Sequence, residues 1–167
     1  MKHLLDLNDL MEEEIGQVFQ TERLMITFLV ELGRRTDYVP LNEWIEKYTS
    51  LCDLHALKLE EIFLDLFIQL EVNKSHVLED IIREYTSKLT RTPDEFIQEE
   101  EAILALFRVI HYKIAVYSTI GIHMNALKFL EQAMHLECLL NEEKRMEEEL
   151  RLLTEEHNVF IDNWYSI

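Results

Sequence analysis

The sequence feature that most constrains the fold is a helical seam that contains a glutamate. Between residues 11 and 32, apolar side chains recur at alternating steps of four and three, which is the spacing of the buried edge of a bundled helix. Glu22 occupies one position of this seam. The other positions hold Met11, Ile15, Val18, Met25, Leu29 and Leu32.

A second seam near the C-terminus contains a glutamate in the same way. It runs through Phe129, Ala133, Leu136, Leu140, Glu143, Met146, Leu150 and Leu153. A buried carboxylate is strongly destabilising unless a cation, a metal ion or a proton neutralises it. The function of the chain therefore depends on what neutralises Glu22 and Glu143.

The composition indicates long helices. Hydrophobic residues make up 48% of the 167 residues, with only three glycines and two prolines to form turns. No alternating strand pattern and no internal repeat is present. The length predicts a single domain over residues 1–167.

The charge of the chain disfavours several classes of partner. A net charge of −17 opposes binding to nucleic acid or to an anionic membrane surface. The sequence has no signal-peptide pattern and no run of 18 apolar residues, so we expect a cytoplasmic protein with no membrane span. Cys52 and Cys138 form no disulfide framework, which is typical of a reducing compartment.

Cap and turn residues divide the chain into four long helices and one short helix. The first helix is predicted to begin at an Asn8 cap and to end at Gly33, and the second to run from Leu41 or Asn42 to about Leu70. The short helix is predicted to run from a Ser75 cap to about Leu89. The third long helix is predicted to begin at Thr92-Pro93-Asp94-Glu95 with Thr92 as its cap, and the last to run from Phe129 to the region of His157 after a turn at residues 121–128. We therefore predict an all-α, antiparallel four-helix bundle with an extra short helix between the second and third long helices.

The second and third long helices add further polar groups to the predicted core. The second has a seam of Trp44, Tyr48, Cys52, His55, Leu59, Ile62 and Leu66. The third has an apolar edge of Phe96, Ile103, Leu104, Phe107, Ile110, Ile114 and Tyr117, and it carries His111 and Lys113 near that edge. Di-metal bundles use a glutamate from each of two helices and a Glu-x-x-His pair from each of the other two. Glu22, His55, His111 and Glu143 are fragments of that set, but no Glu-x-x-His pair occurs among them.

Four segments in matching order carry a family resemblance: EI and TERL at residues 14–15 and 21–24, LEEIF at 59–63, HYKIAVYST at 111–119, and LNEEK at 140–144. On these segments the chain resembles the YciF-type branch of the ferritin-like superfamily, a stress-associated bacterial group. The resemblance implies a ferritin-like bundle, a homodimer, and a di-iron centre in some members. Glu22 and Glu143 match acidic positions of the family. The third long helix departs from it, because Ile110 and Lys113 stand where the family tends to have glutamates.

These observations support competing hypotheses. In the first, which we favour, the Lys113 ammonium neutralises Glu22 and Glu143 without a cofactor, and the chain is a degenerate, non-enzymatic member of the family. In the second, iron binds at Glu22, His55, His111 and Glu143 in an oxidoreductase or iron-handling protein. A third reading joins Cys52 to His55 and the two glutamates in a single zinc site. A fourth places the glutamates at a solvated edge.

Overall fold

The computed structural model describes residues 5–68 and 76–162, with the backbone alone for residues 159–162. These residues form five helices: α1 (Leu7–Gly33), α2 (Val39–Asp65), α3 (His76–Leu89), α4 (Glu95–Ala126) and α5 (Leu130–Asp162). No strand occurs within the described ranges. The prediction of an all-α chain with four long helices and one short one is confirmed.

Contacts at one end of the bundle fix the directions of the long helices. Between α1 and α2, the Thr36 hydroxyl donates to Glu99 Oε1 at the start of α4 over 2.9 Å. The ring of His157, near the end of α5, lies 3.1 Å from Glu99 Oε2 and 2.9 Å from Glu100 Oε1. Because α1 and α5 end where α2 and α4 begin, every pair of neighbouring long helices is antiparallel.

The short helix α3 makes the connection that crosses the bundle. It carries the chain from the end of α2 back to the start of α4 and packs on α1 and α4. The Phe28 ring of α1 meets the Tyr85 ring of α3 edge-on, with 5.6 Å between centroids. This placement matches the crossover predicted from the position of the short helix in the chain.

The predicted seams form the core. Every position of the α1 seam is buried, including Glu22, and so is Glu143 of α5. Two apolar clusters fill the bundle, one containing Met25, Leu29 and Met146 and the other Met11, Ile15 and Leu136. Glu22 and Glu143 lie between these clusters along α1 and α5, so the core is divided by a charged layer.

Several helix boundaries differ from the predictions. The cap of α1 is Asp6, whose Oδ1 accepts from Asn8 N at 2.9 Å, so Asn8 itself lies inside the helix. The cap of α4 is Asp94, which accepts from Ile97 N at 3.1 Å, two residues after the predicted Thr92. An aspartate competes with both predicted caps and satisfies the free N–H groups of the first turn.

The predicted turn at residues 121–128 is wrong for most of its length. The helix α4 continues through Gly121 to Ala126. The chain reverses direction at Leu127 and Lys128, and the φ of Lys128 is 70°. A glycine weakens a helix by only about 1 kcal/mol, which the packing of α4 offsets. The prediction that α2 runs to about Leu70 is also wrong: the helix ends at Asp65 with Leu66 as its C-cap, and Phe67 follows with a left-handed φ of 55°. The predicted Ser75 cap lies outside the described residues.

The helix α4 is also long and apolar enough by composition to cross a bilayer, and half of its most apolar 18-residue stretch is buried within the bundle. A core helix with neighbours on several sides has the same composition. The expectation that no segment spans a membrane remains a prediction, as does the single domain over residues 1–167.

Candidate functional site

A lysine lies at the centre of the charged layer. Lys113 of α4 is fully buried, and its Nζ is 2.8 Å from Glu22 Oε2 of α1 and 2.6 Å from Glu143 Oε1 of α5. The prediction that the Lys113 ammonium pairs with both glutamates is confirmed. The alternative that these glutamates lie at a solvated edge is wrong, because both are fully buried.

Two tyrosines hold the other oxygens of the carboxylates. Tyr48 of α2 donates its hydroxyl to Glu143 Oε2 over 2.6 Å, and it accepts a hydrogen bond from Lys113 Nζ over 3.0 Å. The Tyr117 hydroxyl of α4 donates to Glu22 Oε1. Burial raises the pKa of both phenols well above the usual value, so they remain protonated donors.

His55 of α2 connects the buried charges to the surface. Its Nδ1 lies 3.4 Å from Glu22 Oε1 and 3.2 Å from Glu143 Oε1, while Nε2 lies 3.0 Å from Glu142 Oε2. The His55 side chain is buried, whereas that of Glu142 is 41% exposed. The imidazole therefore lies between the buried carboxylates and a partly exposed carboxylate of α5.

The shifted pKa values of Glu22, His55 and Lys113 indicate that all three side chains are charged near neutral pH. Burial opposes the charge on His55, but hydrogen bonds to Glu143 and Glu22 outweigh it and raise the pKa to about 9. Burial likewise opposes the charge on Glu22, but Lys113 and His55 lower its pKa to about 2. The pKa of Lys113 is raised despite burial, because negative groups surround the ammonium.

The charges within this layer balance. Two carboxylates, Glu22 and Glu143, face one ammonium and one imidazolium, so the four buried groups sum to zero. Cys52 adds no charge, because burial raises the pKa of its thiol well above the usual value. Its Sγ accepts a hydrogen bond from Lys113 Nζ over 3.7 Å. The ammonium and the imidazolium thus offset part of the cost of burying the two glutamates.

The structure does not bring His111 to this cluster, and its inclusion with the other three residues is corrected. The side chain of His111 is 62% exposed, and its Nε2 lies 3.0 Å from Glu147 Oε1 on the surface. Positions 111 and 113 of one α-helix differ by about 200° around the axis. Since Lys113 faces the core, His111 must face away from it.

The remaining ligand atoms do not fit a two-metal centre. Atoms of Glu22, His55 and Glu143 lie within 4.8 Å of one another, so this group could hold a metal ion. A two-metal bundle site takes four glutamates and two histidines. The described core instead supplies two glutamates, one histidine and an ammonium between the carboxylates.

Sequence reasoning included Tyr48 and Tyr117 in the helix seams but did not identify them as carboxylate partners. The available signal was that a buried tyrosine hydroxyl usually has a hydrogen-bond partner, and buried carboxylates are natural acceptors. The sequence spacing did not indicate that Glu142 contacts His55, because that contact depends on the direction in which the His55 ring points.

Comparisons with known proteins agree with this architecture. The family model described as "Domain of unknown function (DUF892)" matches residues 6–159. The stress protein YciF of E. coli superposes with a TM-score of 0.87 at 19% identity, over 92% of this chain and 98% of that one. YcfI from Rhodopseudomonas palustris gives a TM-score of 0.85 at 17% identity, over 90% and 96%. No curated protein matches the chain by sequence. The predicted ferritin-like bundle of the YciF type is confirmed.

Proposed function

This chain belongs to the DUF892 family, and we propose that it is a stress-associated, non-enzymatic bundle protein whose central ion site is held by lysine in place of metal. The observation that carries the proposal is the Lys113 ammonium, fully buried and in contact with both core carboxylates. The stress association rests on the likeness of fold to the E. coli stress protein YciF.

The ammonium and a metal ion would compete for one position. A bound zinc ion lies about 2.0–2.2 Å from each carboxylate oxygen. Lys113 Nζ is 2.8 Å and 2.6 Å from the oxygens that such an ion would need. An ion there would meet a positive charge at contact distance, where repulsion is strong in a buried site. The native site is therefore selective against divalent cations.

The first prediction concerns the metal content of the native chain. Protein produced in medium with iron, manganese and zinc, and purified without chelator, is expected to contain less than ~0.1 ion per chain by plasma mass spectrometry, because the ammonium fills the site. Glu143→Gln, which removes a candidate ligand and keeps the shape of the side chain, is expected to leave that content unchanged. About one or two ions per native chain, lost in Glu143→Gln, would refute the proposal.

That contrary result would favour the second candidate function, a metal-dependent oxidoreductase or iron-handling protein. One observation supports this alternative: Glu22, His55 and Glu143 bring their ligand atoms within 4.8 Å of one another. Zinc rather than iron would require Cys52 as a further ligand, since thiolate and imidazole suit zinc.

We also propose that the chain forms a homodimer in the cytoplasm. Large apolar side chains are exposed at the end of the bundle where α2 ends and α5 begins: Leu64 and Phe67 on the α2 side, and Leu130 and Met134 on α5. Gln132 Nε2 donates to Asp65 Oδ2 over 3.3 Å, which brings these two helix ends together. Exposed apolar side chains at one end of a bundle are typical of contact surfaces. The exposed thiol of Cys138 supports a reducing location.

Light scattering tests the dimer. The chain mass is 20.0 kDa, so we expect a solution mass of about 40 kDa. Leu64→Glu combined with Met134→Glu is expected to halve that mass, because it places charges among the exposed apolar side chains of this bundle end. Ile97→Glu, at an exposed apolar position elsewhere, serves as the matched control and should remain dimeric. A native mass of about 20 kDa would contradict the proposal.

A further inference from the structure

We infer that Lys113 occupies the place of one divalent cation in a site that Glu22, His55 and Glu143 otherwise complete, and that removing this one ammonium opens the site to a zinc ion. The inference rests on the proposed function, because it takes the native site to be closed to metal by lysine. It concerns a single ion and differs from the two-metal centre that the residues do not fit.

The first support is the orientation of the two carboxylates. Glu22 Oε2 and Glu143 Oε1 are buried, and neither has a hydrogen bond of normal geometry among the described residues. Both face the ammonium, at 2.8 Å and 2.6 Å. The opposite oxygens are fixed by the Tyr117 and Tyr48 hydroxyls. Each carboxylate thus directs the oxygen that its tyrosine does not hold at a common point, the Lys113 ammonium, as groups oriented by hydrogen-bonding neighbours do around a metal.

The second support is the orientation of the imidazole. His55 directs Nδ1 at the carboxylates and Nε2 at Glu142 Oε2, which is 3.0 Å away. Histidine ligands of metals commonly donate the N–H of the second nitrogen to a carboxylate, which fixes the tautomer and the ring plane. Glu142 already holds His55 in this arrangement. It is a positioning residue rather than a ligand.

Removing the ammonium changes the charge of the site. Glu22 and Glu143 then lose the cation that both contact, at 2.8 Å and 2.6 Å. A divalent cation bound between them would supply the missing positive charge.

The donor atoms indicate which ion the opened site would take. Imidazole and carboxylate, with the Cys52 sulfur 3.7 Å from the Lys113 Nζ position, form a mixed N, O and S set. Such sets suit zinc, whereas magnesium and calcium bind through oxygen atoms. We therefore take Zn²⁺ as the ligand and Mg²⁺ as the discriminating control.

The experiment compares Zn²⁺ binding to the native chain, Lys113→Ala and Lys113→Gln by competition with a chromophoric chelator. We expect one Zn²⁺ per variant chain, with a Kd at least ~100-fold below that of the native chain, because the ion no longer meets an ammonium. Mg²⁺ should not compete. Lys58→Ala removes an exposed lysine and should behave like the native chain.

Further substitutions in the Lys113→Ala background identify the site. His55→Gln is expected to weaken Zn²⁺ binding at least ~10-fold, since it removes a ligand. Glu142→Gln should weaken it by about 10–100-fold while leaving the stoichiometry at one, as expected for a residue that orients a histidine ligand. Charge-transfer absorption of the Co²⁺ form would identify Cys52 as a further ligand.

The outcomes separate this inference from the proposed function. Folded Lys113→Ala and Lys113→Gln chains without bound Zn²⁺ would overturn the inference and leave the proposed function intact. A native chain that binds Zn²⁺ as tightly as the variants would overturn both. If the variants unfold, refolding is followed by circular dichroism. Recovery of helical signal with Zn²⁺ but not with Mg²⁺ supports the inference, and its failure refutes it.

Discussion

Replacing Lys113 with methionine is expected to lower the free energy of unfolding by about 3–5 kcal/mol, the cost of leaving a buried charge without its partner. The structure makes this case severe, because one ammonium contacts both Glu22 and Glu143 inside the core. Methionine retains much of the length and the apolar stem of lysine. The loss therefore reports on the charge rather than on packing. Urea unfolding followed by circular dichroism gives the value.

The control is Lys58→Met, which removes an exposed lysine whose partner is Glu61 in the same helix. Surface pairs of this kind contribute no more than about 1 kcal/mol, so this variant should unfold close to the native midpoint. Adding Glu22→Gln and Glu143→Gln to Lys113→Met should recover part of the loss, because the uncompensated charges are then removed. If the urea midpoint of Lys113→Met equals the native one, the fold does not depend on the pairing of Lys113 with Glu22 and Glu143.

The sequence was sufficient to predict the bundle and the buried glutamates. Their signal is geometric: a carboxylate in register with a seam of apolar residues must be buried when that seam packs. Glu22 and Glu143 each lie at such a position, and both are fully buried. The same argument predicted that Lys113 pairs with these glutamates, because two inward carboxylates require a positive charge and Lys113 was the cation nearest to a seam.

The helix α4 was harder to interpret. It packs against α1, α3 and α5, so its apolar residues cover several faces and its buried edge is less distinct. Leu104, predicted on that edge, is 41% exposed, whereas Leu106 and Val109 are buried. The same ambiguity made His111 appear to be a core residue, although it lies on the outside. The three-dimensional structure was needed to settle which face of α4 is internal.

The hydrogen bonds within the charged layer were also beyond sequence reasoning. The partners of Tyr48, Tyr117 and His55 all lie on other helices, at sequence separations that no local pattern encodes. Side-chain pairs within one helix follow from a spacing of three or four residues, but pairs between helices depend on the relative shift of the helices along their axes. For this reason no sequence pattern indicated that Glu142 contacts His55.

The native chain is also expected to lose stability as the pH rises from about 6.5 to 9. His55 has a pKa of about 9 in the folded state and a usual value of 6.5. Because folding raises this pKa, its stabilising contribution is complete below pH 6.5 and disappears as the pH passes through 9. A rise of the pKa from 6.5 to about 9 corresponds to about 3–4 kcal/mol, since each pKa unit is worth about 1.4 kcal/mol.

The physical reason is the charge balance of the layer. Deprotonation of His55 leaves the Lys113 ammonium alone with Glu22 and Glu143, so the buried groups acquire a net negative charge. Chemical unfolding measured at intervals from pH 6 to pH 10 gives the profile, and His55→Gln is the matched variant, because glutamine does not titrate. We expect the native chain to be the more stable of the two at pH 6, with the difference shrinking by about 3–4 kcal/mol by pH 10. Parallel profiles for the two proteins would show that His55 is not an imidazolium in the fold, and that Lys113 alone compensates the buried carboxylates.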